Sequence, residues 1–262
     1  MVKGTGPVIG DPIRHTDDLS RLVKLEDPTV KLPFVAETLK ALRAEVDNKA
    51  TVLGFIGTPW TLAAYAIEGK ADRHCTKTKQ MMMNNPVLLH AVLSHLADEL
   101  ADYVCYQIES GAQVVQLFDS WAHHLSPEQF AEFSAPYAQR IIDHVKAKYP
   151  DTPLIFHANG GTGKFGEMAG LTSDVLGFDW ACTMGDARAF YGKDRTLQGN
   201  VDPMVLFGSP EKIEEETKRC LAQAGERHIL NVGKGVVQGT PEEHVGVFID
   251  VAKKTSFVVN AS

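Results

Sequence analysis

The side chains best placed to do chemistry stand just past short apolar runs. In VVQLFDSWAHHL, residues 114–125, the run through Val114, Val115, Leu117 and Phe118 stops at Asp119-Ser120, and Trp121, His123 and His124 come next. Asp179 follows the run ending at Phe178, Asp202 follows the one that begins at Thr196, and Lys234 follows the one ending at Val232. Tyr65 lies on the helix after the loop that closes a further run, Thr51–Ile56. Carboxylates, hydroxyls and an ammonium gathered on one rim would grip a polar substrate and exchange protons with it.

Each residue also has a plainer reading. Asp and Ser favour turns and caps. A lone tyrosine on a helix is more often core than catalytic, and Asp179, Asp202 and Lys234 taken singly are more often structural. His123 and His124 are adjacent, so on a helix or strand they would point apart. No further ligands stand at metal-site spacing, and the two read as a pair at the surface or at the start of a helix. The loop HANGGTGKF, residues 157–165, follows a strand and contains Gly163-Lys164. The phosphate-loop pattern would need Gly at Ala158 and Ser or Thr at Phe165, whose hydroxyl would hold magnesium. It reads instead as a mobile rim loop. Cys75, Cys105, Cys182 and Cys220 are scattered without a CxxC, which argues against a structural zinc site or a disulfide framework.

The elements that must position these residues alternate. Buried parallel strands read as near-continuous apolar runs, and α/β enzymes place their chemistry at the strands' carboxyl ends. The pattern predicts strands at Thr51–Ile56, Gln113–Phe118, Pro153–Phe156, Ser173–Phe178, Thr196–Gln198 and His228–Val232. Helices are predicted over Pro33–Val46, from about Thr61 to Gly69, over Pro86–Ser110, over Ser126–Lys148, from Ser209, and from Thr240 to about Lys254. Ser126-Pro127-Glu128-Gln129 and Thr240-Pro241-Glu242-Glu243 read as capping boxes, and Gly69 suits a left-handed helix end. Residues 1–28 are rich in Gly, Pro and Asp, with an amphipathic stretch at Leu19–Leu25, and 70–85 are polar and Met-rich. With no repeat and no linker, residues 1–262 read as one α/β domain. Eight such units close a (β/α)8 barrel; about six suggest an open sheet or a barrel lacking its beginning.

Of the 262 residues, 44% are hydrophobic and 23% charged, as in an ordinary globular protein. A formal charge of −7 argues against bulk binding to nucleic acid or to an acidic membrane, and leaves room for a local basic pocket. No apolar run approaches the roughly 18 residues of a bilayer span. The first residues have neither a signal-peptide core nor the look of a transit peptide.

Taken together, GFIGTPWTLAAYAIEG (54–69), VVQLFDSWAHHLSPEQF (114–130), VLGFDW (175–180), LQGNVDPMVLFGSPEKI (197–213) and HILNVGKGVVQGTPEEHVG (228–246) resemble uroporphyrinogen decarboxylases. The resemblance runs in order from about residue 3 to the C-terminus, and NVDPMVLFGS leans towards the version in plants and other phototrophs. It implies a (β/α)8 TIM barrel, usually a homodimer, with no metal or organic cofactor. The implied reaction removes CO2 from the four acetate side chains of uroporphyrinogen III to give coproporphyrinogen III, on the route to heme and chlorophyll. A pyrrole protonated at carbon serves as its own electron sink, so the protein's task is to hold a polyanion, supply a proton and stabilise positive charge. By the same resemblance Tyr65 and Ser120 are substrate-binding residues that meet carboxylates. The location implied is the plastid for a photosynthetic eukaryote and the cytoplasm otherwise.

Two departures stand out. The family's arginine-bearing segment and its strand ending in an aspartate that binds the pyrrole NH groups have no counterpart, so no catalytic residue is assigned. VKGTGPVIGDPIR resembles the family's segment immediately after that aspartate. The expectation is a barrel shortened at its N-terminus, with an unpaired strand edge at Thr51–Ile56 and lower solubility than a longer chain. The family's G-H-G near the last strand is Gly233-Lys234-Gly235. Lysine pairs with a carboxylate but holds its proton about four pH units further into base than histidine. An inert relative that binds tetrapyrrole or dimerises without turnover is the alternative. Corrinoid-dependent methyltransferases share the barrel but hold zinc through His-x-Cys and a later Cys, a spacing absent from this sequence.

Overall fold

Proline marks where many of the helices begin. Thr58, Asn85, Ser126 and Ser209 each accept a backbone N–H through the side chain, and Pro59, Pro86, Pro127 and Pro210 come next as first helical residues. The ring presets a helical φ where no N–H is needed. The structure, a computed structural model, describes residues 8–255; the first residues of the stretch that resembles the family lie outside it. In chain order the elements are α1 (Pro28–Lys31), α2 (Pro33–Val46), β1 (Leu53–Gly57), α3 (Pro59–Glu68), α4 (Thr76–Asn84), α5 (Pro86–Glu109) and β2 (Val114–Asp119). Then come α6 (Pro127–Phe133), α7 (Ala135–Lys148), β3 (Leu154–Ala158), α8 (Phe165–Ala169), β4 (Val175–Phe178) and α9 (Met184–Tyr191). The chain continues through β5 (Thr196–Val201), α10 (Pro210–Ala224), β6 (His228–Val232) and α11 (Glu242–Lys254).

The six strands form one sheet in the order β1-β2-β3-β4-β5-β6, every neighbouring pair parallel. Parallel crossovers are right-handed, so strands laid down in sequence put all their helices on one face. A doubly wound sheet would reverse its order at a switch point. This sheet is the wall of a barrel, open between β1 and β6 among the described residues. The helix-facing side carries the core: Trp60, Leu89, Leu93, Leu117, Phe130, Ile141, Ile142 and Phe156 are fully buried. Each such side chain contributes about 1.5–3 kcal/mol.

Several elements differ from the sequence-based expectation. The helix expected over Ser126–Lys148 is two, broken at Ser134, because Pro136 lacks the N–H and clashes with the preceding turn. The Met-rich stretch contains α4, whose Met81 and Met82 are buried. The amphipathic stretch near Leu19 is a single 3-10 segment, Thr16–Arg21. The last capping box does not form: Thr240 donates its hydroxyl back to the Val237 carbonyl, and Pro241 starts α11 without a side-chain cap. Gly69 does end α3 in the left-handed region, at φ 85°.

Candidate active site

The concave side of the sheet is polar where the convex side is apolar. Gln116 on β2, His157 on β3, Gln198 on β5 and Asn231 on β6 point into one cavity of about 730 Å3. Neighbouring strands place Phe118 beside His157, His157 beside Gly177, and Gly177 beside Gln198. A Cβ on Gly177 would lie 3.0 Å from both the His157 and the Gln198 side chains, so glycine leaves the space they fill. The Gln198 amide donates to Gln116 Oε1 at 3.4 Å, which ties the floor together across the sheet.

The rim comes from the loops at the strands' carboxyl ends. Ser120, Trp121, His123 and His124 follow β2, Asn159 follows β3, and Lys234 follows β6; Arg73 reaches in from the segment after α3. Among the described residues, the cations lining the cavity are Arg73 and Lys234, against one carboxylate, Asp72. A chain of net charge −7 thus keeps a positive patch where an anion would enter. Burial pushes His157 down to about 4, and burial with His123 alongside pushes His124 down to about 4 as well. Both are neutral donors or acceptors near pH 7. Lys234 Nζ lies 5.9 Å over the Trp180 ring, a cation–π contact that holds it at the rim.

Ser120 and Lys234 therefore line one cavity. Tyr65 is not among the lining residues; its ring lies 4.9 Å from that of Trp121, which is. Trp121 is itself fixed, since Trp60 Nε1 donates to its carbonyl at 3.0 Å. The other candidates hold the frame. Asp119 is fully buried and accepts from Thr61 Oγ1 at 3.0 Å and from Ser134 Oγ. Burial raises its pKa, opposed by the hydroxyls of Ser134, Thr61 and Thr58. Asp179 accepts from the backbone N–H of Gly160 and, at 2.8 Å, from that of Ala181. Asp202 caps a short 3-10 turn through Met204 N at 2.9 Å.

His157, Asn159, Arg73 and the histidine pair line the cavity although the sequence alone assigned them no role there. β3 extends to Ala158, so His157 is a strand residue rather than a loop residue. The pair stands in a 3-10 turn, Ala122–His124, and its rings sit 4.0 Å apart instead of diverging. The stretch expected to be a mobile loop is bonded on both flanks: Asn159 N donates to the Asp119 carbonyl at 3.1 Å, Gly160 N donates to Asp179, and Lys164 Nζ donates to the Gly160 carbonyl at 2.7 Å. Lys164 is buried, which lowers its pKa against the pull of Asp119 and Asp179.

A sequentially wound parallel wall with a polar, cation-bearing cavity at its carboxyl ends defines a barrel enzyme of the TIM class. Solved structures agree on the fold: a methyltransferase from Methanosarcina mazei superposes with a TM-score of 0.76 at 20% identity, covering 88% of this chain and 67% of that one. A B12-independent methionine synthase from Shewanella sp. W3-18-1 gives 0.57 at 11% identity, covering 84% and 66%. The sequence profile of "Uroporphyrinogen decarboxylase (URO-D)" matches residues 1–255, and the chain belongs to that family. Proteins named uroporphyrinogen decarboxylase from three cyanobacteria are similar throughout. That of Nostoc punctiforme is 48% identical over 258 residues, 98% of this chain and 73% of the relative. That of Picosynechococcus sp. is 47% identical over 254 residues, 97% and 72%. One from Prochlorococcus marinus is 45% identical over 261 residues, 99% and 74%.

Proposed function

We propose that this protein acts as a uroporphyrinogen decarboxylase, a cofactor-free lyase that converts the four acetate side chains of uroporphyrinogen III to methyls. The observation that carries the reading is the cavity that joins Ser120, Lys234 and Arg73 at the strand ends, inside a family member whose relatives bear that name over nearly the whole chain. Lys234 and Arg73 attract and pair with carboxylates, and Ser120 donates to one of them. Tyr65 acts from one ring further out, against Trp121. Each decarboxylation protonates a pyrrole carbon; the C–C bond to the carboxylate then breaks towards the cationic ring and CO2 leaves; a second proton completes the methyl, and loss of the first proton from the ring carbon restores the pyrrole. Preorganised donors cost no reorganisation as this charge develops.

Residues 1–262 serve as one domain in this reading, and the family resemblance adds a homodimer, which sedimentation equilibrium tests. The cyanobacterial origin of the relatives favours the cytoplasm over the plastid. The deciding experiment is anaerobic incubation with uroporphyrinogen III, followed by chromatography of the oxidised products. Hepta- to tetracarboxylate porphyrins are expected in sequence. Unchanged octacarboxylate, with tight binding retained, would replace turnover with binding alone.

A further inference from the structure

We propose that His123 is a carboxylate-binding residue of this cavity, held by Asn159 as the tautomer that carries its proton on Nε2. The ligand class rests on the uroporphyrinogen reading; the tautomer does not. The amide nitrogen of Asn159 donates to the Ser120 backbone carbonyl at 3.1 Å. A carbonyl only accepts, so this bond fixes which way the amide faces. The same nitrogen lies 3.1 Å from His123 Nδ1. Its second proton therefore points at Nδ1, which must be the acceptor. A neutral imidazole with an accepting Nδ1 has its proton on Nε2.

The arrangement is built from both rim loops. Asn159 is anchored through its own N–H on the Asp119 carbonyl. Gly160 follows at φ 77°, and a Cβ there would lie 2.6 Å from His123 Cβ and 2.7 Å from His123 Cα. Glycine lets the two loops meet, and the His124 ring sits 4.0 Å from the His123 ring. His123 and Asn159 both line the cavity that holds Lys234 and Arg73. Burial keeps the His123 ring below the usual histidine range, with the Ser120 carbonyl pulling upward and Lys234 and Lys164 downward. His123 thus offers a neutral N–H to a carboxylate beside two cations. It adds direction to the grip without adding charge, and Asn159 is its positioning residue.

Two measurements test this. In the 15N-histidine-labelled chain near pH 7.5, two-bond proton–nitrogen spectra should show His123 with a bare Nδ1 and a protonated Nε2, its signals identified by their loss in His123→Gln. Asn159→Ala should yield a mixture of tautomers. A protonated Nδ1 in the wild type overturns the proposal. Titration with uroporphyrin III, followed by porphyrin fluorescence anisotropy, should give roughly tenfold weaker binding for His123→Ala, the size of one hydrogen bond to a charged group. His123→Gln, whose amide can donate, should recover to within about threefold. Circular dichroism establishes that each variant is folded. Equal affinity of His123→Ala and wild type, or no binding of uroporphyrin by the wild type, sinks this proposal alone; failure of the wild type either to bind or to convert uroporphyrinogen III sinks it together with the functional reading.

Discussion

At the residue scale, the conspicuous acids serve the frame while unassuming polar residues face the cavity. Asp119 stands where sequence logic puts a catalytic acid, yet both its oxygens are taken by hydroxyls from α3 and from the α6–α7 break. Asp119→Ala removes the acceptor that the Thr61 and Ser134 hydroxyls donate to, and the expected cost is about 3 kcal/mol by urea denaturation. Asp119→Asn, which keeps one acceptor, should cost about 1 kcal/mol. His157 gives a pH dependence. Its folded value of about 4 lies below the ordinary 6.5, so the unfolded chain takes up a proton first as pH falls. Its contribution to stability is therefore complete above pH 6.5 and lost between 6.5 and about 4, with a ceiling of about 3 kcal/mol. His124 acts in the same direction. Urea midpoints of His157→Gln measured at pH 7 and pH 4.5 should differ less than those of the wild type.

At the scale of elements, close backbone approaches set the rim. A Cβ on Gly233 would meet Trp180 N at 2.4 Å and the Asp179 carbonyl carbon at 2.9 Å, so no side chain can yield to it. Gly233 N also donates to the Val201 carbonyl at 2.8 Å, which locks the end of β6 to β5. Gly233→Ala must push the β6 end away from the β4 end, and with it Lys234 away from Trp180. The expected outcome is a loss of about 2 kcal/mol in stability, read by calorimetry, and weaker uroporphyrin binding. The six strands were legible because each is a short apolar run between turn residues. The shorter helices α4, α8 and α9 were not, since packing on the wall rather than propensity stabilises them.

For the whole molecule, the margin at β1 has no strand partner among the described residues, as expected of the edge there, and the structure adds how it is dressed. Val52 and Thr58 bond to β2 through their backbones, which turns the N–H and C=O of Phe55 outward. The Gln107 side chain from α5 bonds both, each at 3.0 Å, in place of a strand partner. Gly54 makes the room, for a Cβ there would lie 2.7 Å from Gln107 Oε1. Leu53 and Phe55 remain 39% and 63% exposed on the concave side, enough apolar surface to favour association along this margin. Phe55→Lys should raise the soluble fraction after mild heating, read by light scattering, with an unchanged far-UV spectrum.

The sequence by itself determined the alternation of strand and helix, the helix starts at Pro86, Ser126-Pro127 and Ser209-Pro210, and the family; the start of α3 at Pro59, ahead of the expected Thr61, came from the structure. The features read from sequence depend on neighbours in the chain, on a ring that fixes φ and on a side-chain oxygen three residues from an N–H. Only the tertiary structure decided which polar residues share the cavity. Gln116, Gln198 and Asn231 look like interruptions of apolar runs and His157 like the start of a loop, because the inward face of a strand is assigned by the register of its neighbours. Asp119 and Ser120 are adjacent in the chain, and one became a buried brace and the other a cavity wall because the end of β2 turns between them. A choice of that kind is made by partners as far apart in the chain as Thr61 and Ser134, which no local pattern encodes.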